Sequence, residues 1–368
     1  MRVGLIVTGG VDRSGRERVI PALLWLIERL ARRHDLHVYA LRYHREPCVY
    51  PLLGATVHDL GSPAGLWRQH AALVQALRAD GPFDLLHAYW ALPAGLVGAA
   101  AARRLRVPCV VTLDSGEFAD LPVVQYGLQR RARQRLAVAA ALRLASRLTV
   151  CSEYQRRLAR AHGAEPDLIP IGVDRALFTR ASPLNGPPWR LVHVANLNPV
   201  KDQPALLHAL KIVIEGGKDT HLDVAGLDTL DGSVQRLAAA LGVASHVTFH
   251  GFLPTDRLVP LYQRAHLHVL SSRHEAAGVV ALEAAACGVA TVGTAVGYIA
   301  DWSPDRAVAV PPGDSGALAS GIVDLLQQHE RRARLAAAAY DWAARFDADW
   351  TADAFESLYH ELAVRSAV

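Results

Sequence analysis

The chain holds 368 residues, of which 51% are apolar and 20% charged. That balance excludes wholesale disorder, and the length suggests two domains with a core each. The formal net charge is only +4, which does not mark a nucleic-acid binder. Of 39 basic residues only three are Lys, namely Lys201, Lys211 and Lys218. Charge is unevenly spread: residues 1–178 carry 24 Arg against 15 acids, and residues 179–368 carry 15 basic residues against 20 acids. Halves of opposite sign fit two domains meeting different partners.

The chain opens on the short apolar run Val3–Thr8, too brief for a signal peptide and readable as a first strand. Further strands are expected at Leu36–Ala40, Leu85–Ala88, Cys109–Leu113 and Leu148–Cys151. Val19–Arg33 and Leu66–Arg78 between them have helical apolar spacing. The weakly polar stretch Ala91–Ala102 is short and contains Pro93, so it cannot span a bilayer. Ile169–Pro188 holds four Pro and no clear period, which reads as a linker. The rhythm then repeats. Strands are expected at Arg190–Val194, His221–Ala225, Val247–His250, Leu267–Leu270 and Ala290–Gly293. Helices are expected at Gln203–Glu215, Ser233–Leu241, Asp256–Arg264 and Val279–Cys287. Tyr340–Val364 reads as a helical tail with an aromatic packing stripe. Strand–helix alternation predicts two doubly wound α/β units with parallel sheets. The expected domains are 1–178, 179–345 and a C-terminal helix, 346–368, packing back on the first. Cys48, Cys109, Cys151 and Cys287 show no zinc or redox spacing and read as free buried thiols of a reduced compartment.

The chemistry concentrates in the segment from Val269 to Val292. A strand ends near Leu270, a polar loop follows, and a helix starts near Gly278 and stops at Gly288. Ligands of open α/β sheets bind beyond the carboxyl ends of strands, and a helix N-terminus offers N–H groups to an anion. Gly278 lets the backbone approach closely. Glu275 sits just ahead of that helix and Glu283 inside it, flanked by Ala and Leu. A carboxylate so placed needs hydrogen-bond donors. Ligand hydroxyls would supply them, and so would a neighbouring Arg in a purely structural reading. Gly9 and Gly10 follow the first strand but spell no G-x-G-x-x-G, which argues against a nicotinamide enzyme.

Glu275, the seven residues after it, Glu283 and the Ala-Cys-Gly-Val helix end resemble the signature of family-4 retaining glycosyltransferases. Ile169–Asp174, Val247–Phe252, Val310–Asp314 and Asp84–His87 resemble further segments of that family. The resemblance implies the GT-B fold, two Rossmann-like domains facing a cleft. It implies a nucleotide-diphosphate sugar as donor, UDP- or GDP-linked, a hydroxyl acceptor, no cofactor and no metal. It assigns the ribose hydroxyls to Glu283, a donor-sugar hydroxyl to Glu275 and the diphosphate to the backbone of Gly278, Val279 and Val280. Lys201 would neutralise the diphosphate. Phe252 would lie at the nucleobase, and Gly9 and Gly10 would face the diphosphate from the first domain. Asn196 stands in the region where the family carries an Arg, leaving a neutral donor. Asp114 stands where the family often has His, as a site-shaping acceptor of a sugar hydroxyl. Tyr298 replaces a second Gly after Gly297, and its bulk is expected to reshape the donor-sugar pocket. The acceptor stays open among a saccharide, a lipid-linked glycan and a small molecule. The Arg-rich stretch Tyr126–Arg147 reads either as a solvated helix face or as a contact with a membrane surface or anionic acceptor. The implied setting is cytoplasmic, with or without peripheral membrane contact. An epimerase on the same fold and a catalytically silent nucleotide-sugar or partner-binding protein are the alternatives.

Overall fold

The computed structural model describes residues 1–182 and 185–366. The chain divides into two compact units, Met1–Ile171 joined by the segment that begins at Ala348, and Gly172–Asp347. The division thus falls ahead of residue 178. Within the stretch expected to be a linker, Ile171, Val173 and Phe178 are buried, and residues 183 and 184 lie outside the described residues.

Unit 1 runs β1 (Arg2–Val7), α1 (Pro21–Ala31), β2 (Asp35–Ala40), β3 (Cys48–Leu52), β4 (Ala55–Asp59), α2 (Leu66–Asp80), β5 (Leu85–Tyr89) and α3 (Leu96–Leu105). It continues with β6 (Cys109–Leu113), α4 (Ala132–Leu144), β7 (Arg147–Val150), α5 (Glu153–Ala161) and β8 (Asp167–Leu168). Its eight strands lie in the order β3-β4-β2-β1-β5-β6-β7-β8. Only the β3–β4 pair is antiparallel. All five residues of β5 and of β6 are buried, the continuous burial expected of parallel strands covered on both faces. In α1, Pro21 occupies the first turn, where no N–H is needed, and Leu23, Leu24, Ile27 and Leu30 share the core face.

Unit 2 runs β9 (Trp189–Val194), α6 (Gln203–Glu215), β10 (Thr220–Ala225), α7 (Ser233–Ala240), β11 (Val247–Gly251), α8 (Thr255–Gln263), β12 (Leu267–Leu270) and α9 (Val279–Ala286). Then follow β13 (Ala290–Thr294), α10 (Gly297–Trp302), β14 (Ala307–Val310), α11 (Ser315–Gln327) and α12 (His329–Arg345). The sheet order is β11-β10-β9-β12-β13-β14, all parallel. In each unit the chain first builds one way across the sheet and then the other. The reversal lies between β1 and β5 in unit 1, and between β9 and β12 in unit 2. Such reversals open a crevice at the carboxyl ends of the strands.

The expected single tail helix is two. The helix breaks at Phe346-Asp347, where the units also divide, and α13 (Ala348–Ser366) returns to unit 1. Trp342 and Phe346 stay with unit 2, whereas Phe355 and Tyr359 join the unit 1 core. His87 Nδ1 lies 2.5 Å from the Tyr359 hydroxyl, and Arg29 pairs with Asp349 at 2.8 Å. Cys109, Cys151 and Cys287 are buried free thiols, but Cys48 is only half-buried, beside Arg13 and His44. Among the described residues, no helix is long and apolar enough to cross a membrane.

Candidate active site

In unit 2 the loops that follow β9 and β12 meet at the reversal of strand order. The first loop is tied down by Asn198, whose Oδ1 accepts the N–H groups of Val200 and Lys201 at 3.0 and 3.2 Å. The second loop stitches onto it. Ser271 Oγ donates to Lys201 O at 2.7 Å, and Arg273 N donates to Val200 O at 2.7 Å. These bonds carry the Lys201 ammonium to Glu275, with Nζ 2.5 Å from Oε1. Ser272 Oγ donates to the same Oε1 at 2.6 Å. The Lys201 side chain is one-quarter exposed and that of Glu275 about one-eighth, so a partly dry ion pair remains open to a ligand. The second cation of the loop, Arg273, is bound to Asp202 at 2.8 Å.

Gly278 is the N-cap of α9 at φ 81°, ψ 57°, the left-handed region open to glycine. The N–H groups of Val279 and Val280 begin the helix and have no intrahelical acceptor. Gly297 is required by space: a Cβ would fall 2.3 Å from Ala277 O. Tyr298 N donates to that same carbonyl at 2.7 Å, so the loop before α9 is also fixed from α10.

Glu283 lies on α9 and is 5% exposed. Its protein donor is the Tyr262 hydroxyl of α8, 2.8 Å from Oε2, rather than an Arg. Burial pushes its carboxyl up to about 7, against the opposing effect of the Tyr262 hydrogen bond. Oε1 is left available to a ligand's hydroxyl hydrogens. Below the site, His193 is buried and held neutral, its pKa lowered to about 4 chiefly by desolvation. Its Nδ1 lies 2.9 Å from Val269 O.

The structure brings Lys201, Glu275, Gly278, Val279 and Val280 together, with Glu283 further along α9. Asn196 is adjacent in chain, but its Oδ1 accepts Leu227 N at 3.0 Å, so only its NH₂ can face a ligand. Phe252 stands 42% exposed in the loop after β11, with β10 and β9 between β11 and β12. Tyr298 departs from expectation. It is 2% exposed, stacked on Trp302 with ring centroids 5.5 Å apart and 5.1 Å from Trp342. Its bulk fills the unit's aromatic core and does not reshape a pocket.

The remaining candidates belong to unit 1. Gly9 and Gly10 follow β1 and lie under Tyr43 and Ile20, where Cβ atoms would sit 2.7 Å from each. Asp114 follows β6, and its Oδ1 accepts from Cys151 Sγ at 3.1 Å. Sequence reasoning passed over Glu117, three residues on. It is fully buried, with its carboxylate on Ala91 N at 3.2 Å, Ser115 N at 2.8 Å and Gln155 Nε2 at 3.3 Å. Desolvation raises its pKa while the backbone donors oppose the rise. Of these residues Ser115 and Glu117 line a cavity of about 410 Å³, whose walls also include Thr8, Trp90, Arg130 and Arg131. Two groupings of metal-capable side chains also lie in unit 1, His37–His58–Asp80 and His44–Cys48–Asp59. In both a ring nitrogen is already hydrogen-bonded, His37 to His58 at 2.9 Å and His44 to Asp59 at 2.7 Å.

Residues 174–342 match the family described as Glycosyl transferases group 1, and residues 19–172 match the Glycosyl transferase 4-like domain. A D-inositol 3-phosphate glycosyltransferase of Mycolicibacterium vanbaalenii is 30% identical over 84% of this chain and 74% of its own length. One from Acidothermus cellulolyticus is 28% identical over 78% of this chain and 69% of its own. Among solved structures, sucrose-phosphate synthase of Thermosynechococcus elongatus superposes with a TM-score of 0.80 at 20% identity, covering 98% of this chain and 99% of that one. The Anabaena protein HepE in complex with UDP-glucose gives a TM-score of 0.76 at 19% identity, covering 98% and 100%.

Proposed function

The chain belongs to the group 1 glycosyltransferases, and from that premise we propose that it moves a hexosyl group from a UDP- or GDP-linked sugar to an acceptor hydroxyl, with retention at the anomeric carbon and without a metal ion. The observation that carries this reading is the Lys201–Glu275 pair beside the open N-terminus of α9, with Glu283 on the same helix. A HepE structure holding UDP-glucose supports a donor of the uridine class.

In this reading the diphosphate takes the N–H groups of Val279 and Val280, the Lys201 ammonium and the Asn196 NH₂. Glu283 accepts the ribose hydroxyls on Oε1 while Tyr262 holds Oε2. Phe252 lies toward the base, and Glu275 accepts a hydroxyl of the donor sugar. The acceptor oxygen attacks the anomeric carbon on the face from which the diphosphate departs. The bond from that carbon to phosphate oxygen breaks as the glycosidic bond forms, and the acceptor proton passes to the leaving phosphate. No protein nucleophile is needed. Lys201 and the helix terminus act by stabilising the charge that grows on the leaving oxygen. Asp114, Gly9 and Gly10 shape the first unit's contribution. The chain acts in the cytoplasm and needs no cofactor.

The test is a thermal-shift and calorimetry screen of UDP-, GDP- and ADP-sugars, followed by turnover in EDTA and assignment of the product anomer by NMR. Selective stabilisation by one nucleotide sugar, and a product of unchanged anomeric configuration, are expected. An inverted product, or activity lost in EDTA, overturns the proposed mechanism. Conversion of the donor sugar without an acceptor points to the epimerase.

A further inference from the structure

We propose that His37 and His58 of unit 1 form a site for a divalent cation of the zinc class, bound by His37 Nδ1 and His58 Nε2, with Asp35 and Asp80 behind the two rings. The site does not depend on the transferase reading, and none of its residues belongs to the candidate active site. His37 lies on β2 and His58 on the adjacent β4, where His37 pairs with Thr56 and Tyr39 with His58. The facing ring nitrogens are 2.9 Å apart. Each far nitrogen meets a carboxylate: His37 Nε2 is 3.3 Å from Asp35 Oδ1, and His58 Nδ1 is 3.4 Å from Asp80 Oδ2.

Asp35, His37, His58 and Asp80 thus stand in a row with three contacts between them, and two neutral imidazoles own only two N–H hydrogens. A carboxylate only accepts, so the outer contacts take both hydrogens, on His37 Nε2 and His58 Nδ1. The inner nitrogens then face each other lone pair to lone pair. A hydrogen placed between them instead leaves one carboxylate against a bare nitrogen. A metal cation on the inner nitrogens satisfies all three contacts without a further proton. Each ring then donates its far N–H to a carboxylate, the usual support of a metal-bound histidine. Charge favours a cation as well. Asp35 and Asp80 bring two negative charges, and the nearby guanidinium of Arg2, whose Nε donates to Asp35 Oδ2 at 2.6 Å, offsets one of them.

The rings are held ready. Tyr39 stacks on His58 with centroids 4.8 Å apart, and Phe83 sets its edge against His37 at 5.5 Å. The Tyr39 hydroxyl donates to Asp80 Oδ2 at 2.8 Å and fixes that carboxylate. One ligand atom each from His37, His58 and Asp80 lie within 4.8 Å of one another. Tetrahedral zinc, with bonds to imidazole of about 2.0 Å, sets neighbouring ligand atoms about 3.3 Å apart, so the two nitrogens need to part by only about 0.4 Å. The His37 and His58 side chains are 12% and 11% exposed and that of Asp80 is one-quarter exposed, which admits the waters that complete the coordination. Imidazole ligands suit zinc, copper and nickel, whereas magnesium takes oxygen.

The experiment is calorimetric titration of the full chain, stripped of metals with EDTA and then freed of EDTA, using zinc chloride and magnesium chloride, paired with melting curves. One equivalent of zinc is expected to bind and magnesium to give no heat, with the melting temperature raised by about 5 °C at saturating zinc. His37→Gln and His58→Gln should each weaken zinc binding by about 100-fold or more, and Asp80→Asn by about tenfold. Cys48→Ser, which alters the other metal-capable group, should bind zinc as the parent does. The zinc-dependent rise is read within each variant, so a change in basal stability does not obscure it. A parent that binds zinc no better than magnesium, His variants that keep the affinity, or its loss in Cys48→Ser would overturn the assignment. So would melting curves that respond to acid and ignore zinc, since a proton then fills the middle contact. Turnover in EDTA is read separately: stripping zinc should lower the melting temperature and leave kcat unchanged well below it.

Discussion

Lys201 Nζ and Glu275 Oε1 meet at 2.5 Å across 74 residues of sequence, bridging the loops that follow β9 and β12. The pairing keeps an ammonium oriented at the N-terminus of α9 before any ligand arrives. An arriving diphosphate shares that cation, and Glu275 is then free to turn to a sugar hydroxyl. Lys201→Ala is expected to lower kcat by about 10²- to 10³-fold, the usual loss when a preorganised transition-state charge is removed. Glu275→Gln should lower kcat as well, and the double variant should lose less than the product of the two. Steady-state kinetics with the selected donor measure this. Full additivity would show that the two groups act apart.

Glu283 trades stability for binding. Its folded pKa, about 7, lies above the ordinary carboxyl value of 4.5. The neutral form is therefore the one the fold favours. Its contribution is fully present below pH 4.5 and is lost as pH rises through about 7. The shift corresponds to about 3 kcal/mol of ligand-free stability by pH 8. Glu283→Gln removes the titration and should raise the apo melting temperature at pH 8 relative to the parent, with little difference at pH 4.5. The same change should weaken nucleotide binding about tenfold or more, because a carboxylate accepting two hydroxyls is replaced by an amide. Melting curves across pH, paired with calorimetry, decide it. An unaltered apo melting temperature at pH 8 would refute the buried-carboxyl account.

Tyr262 sets where that titration falls. Its hydroxyl donates to Glu283 Oε2 and so favours the ionised form. Tyr262→Phe should leave the carboxyl with desolvation alone and move its pKa further up. Nucleotide affinity, which requires the carboxylate, should then rise with pH along a curve displaced to higher pH than the parent's. A packing defect would weaken binding equally at every pH, so the displacement is the diagnostic. Nucleotide calorimetry from pH 6 to 9 reads it.

The strand–helix alternation was plain in the sequence because parallel strands buried on both faces read as unbroken apolar runs, as in Cys109–Leu113. β3 was not, because Val49 and Pro51 face outward and Pro is foreign to strand interiors. The two-helix tail was hidden by its aromatic stripe, which continues past the break at Phe346 although the two halves pack into different units. At the site, Glu275, Glu283 and Gly278 share one segment, so spacing alone could group them. Lys201 stood out because Lys is so rare in the chain. Tyr262 and Ser272 carried no such mark, for their partners are settled only when loops and helices pack. The one available cue to Tyr262 was that a carboxylate on an apolar helix must find a donor somewhere.

Tyr298 shows where reasoning from a single position fails. Its ring stacks on Trp302 and abuts Trp342, which also contacts Phe346, so it belongs to a four-ring core at the end of unit 2. Its backbone nevertheless touches the site, through the bond from Tyr298 N to Ala277 O. Side-chain truncation removes the ring and keeps that bond. Tyr298→Ala should destabilise unit 2 by about 3–5 kcal/mol, as large-to-small changes of buried aromatics do. Tyr298→Phe, which keeps the stack, should be far milder. Donor selectivity, measured as the ratio of kcat/KM for two nucleotide sugars at a temperature where each variant is folded, should stay within about twofold of the parent, since no pocket contact is lost. A selective gain for a bulkier donor sugar in Tyr298→Ala, with stability unchanged, would return the ring to the pocket wall.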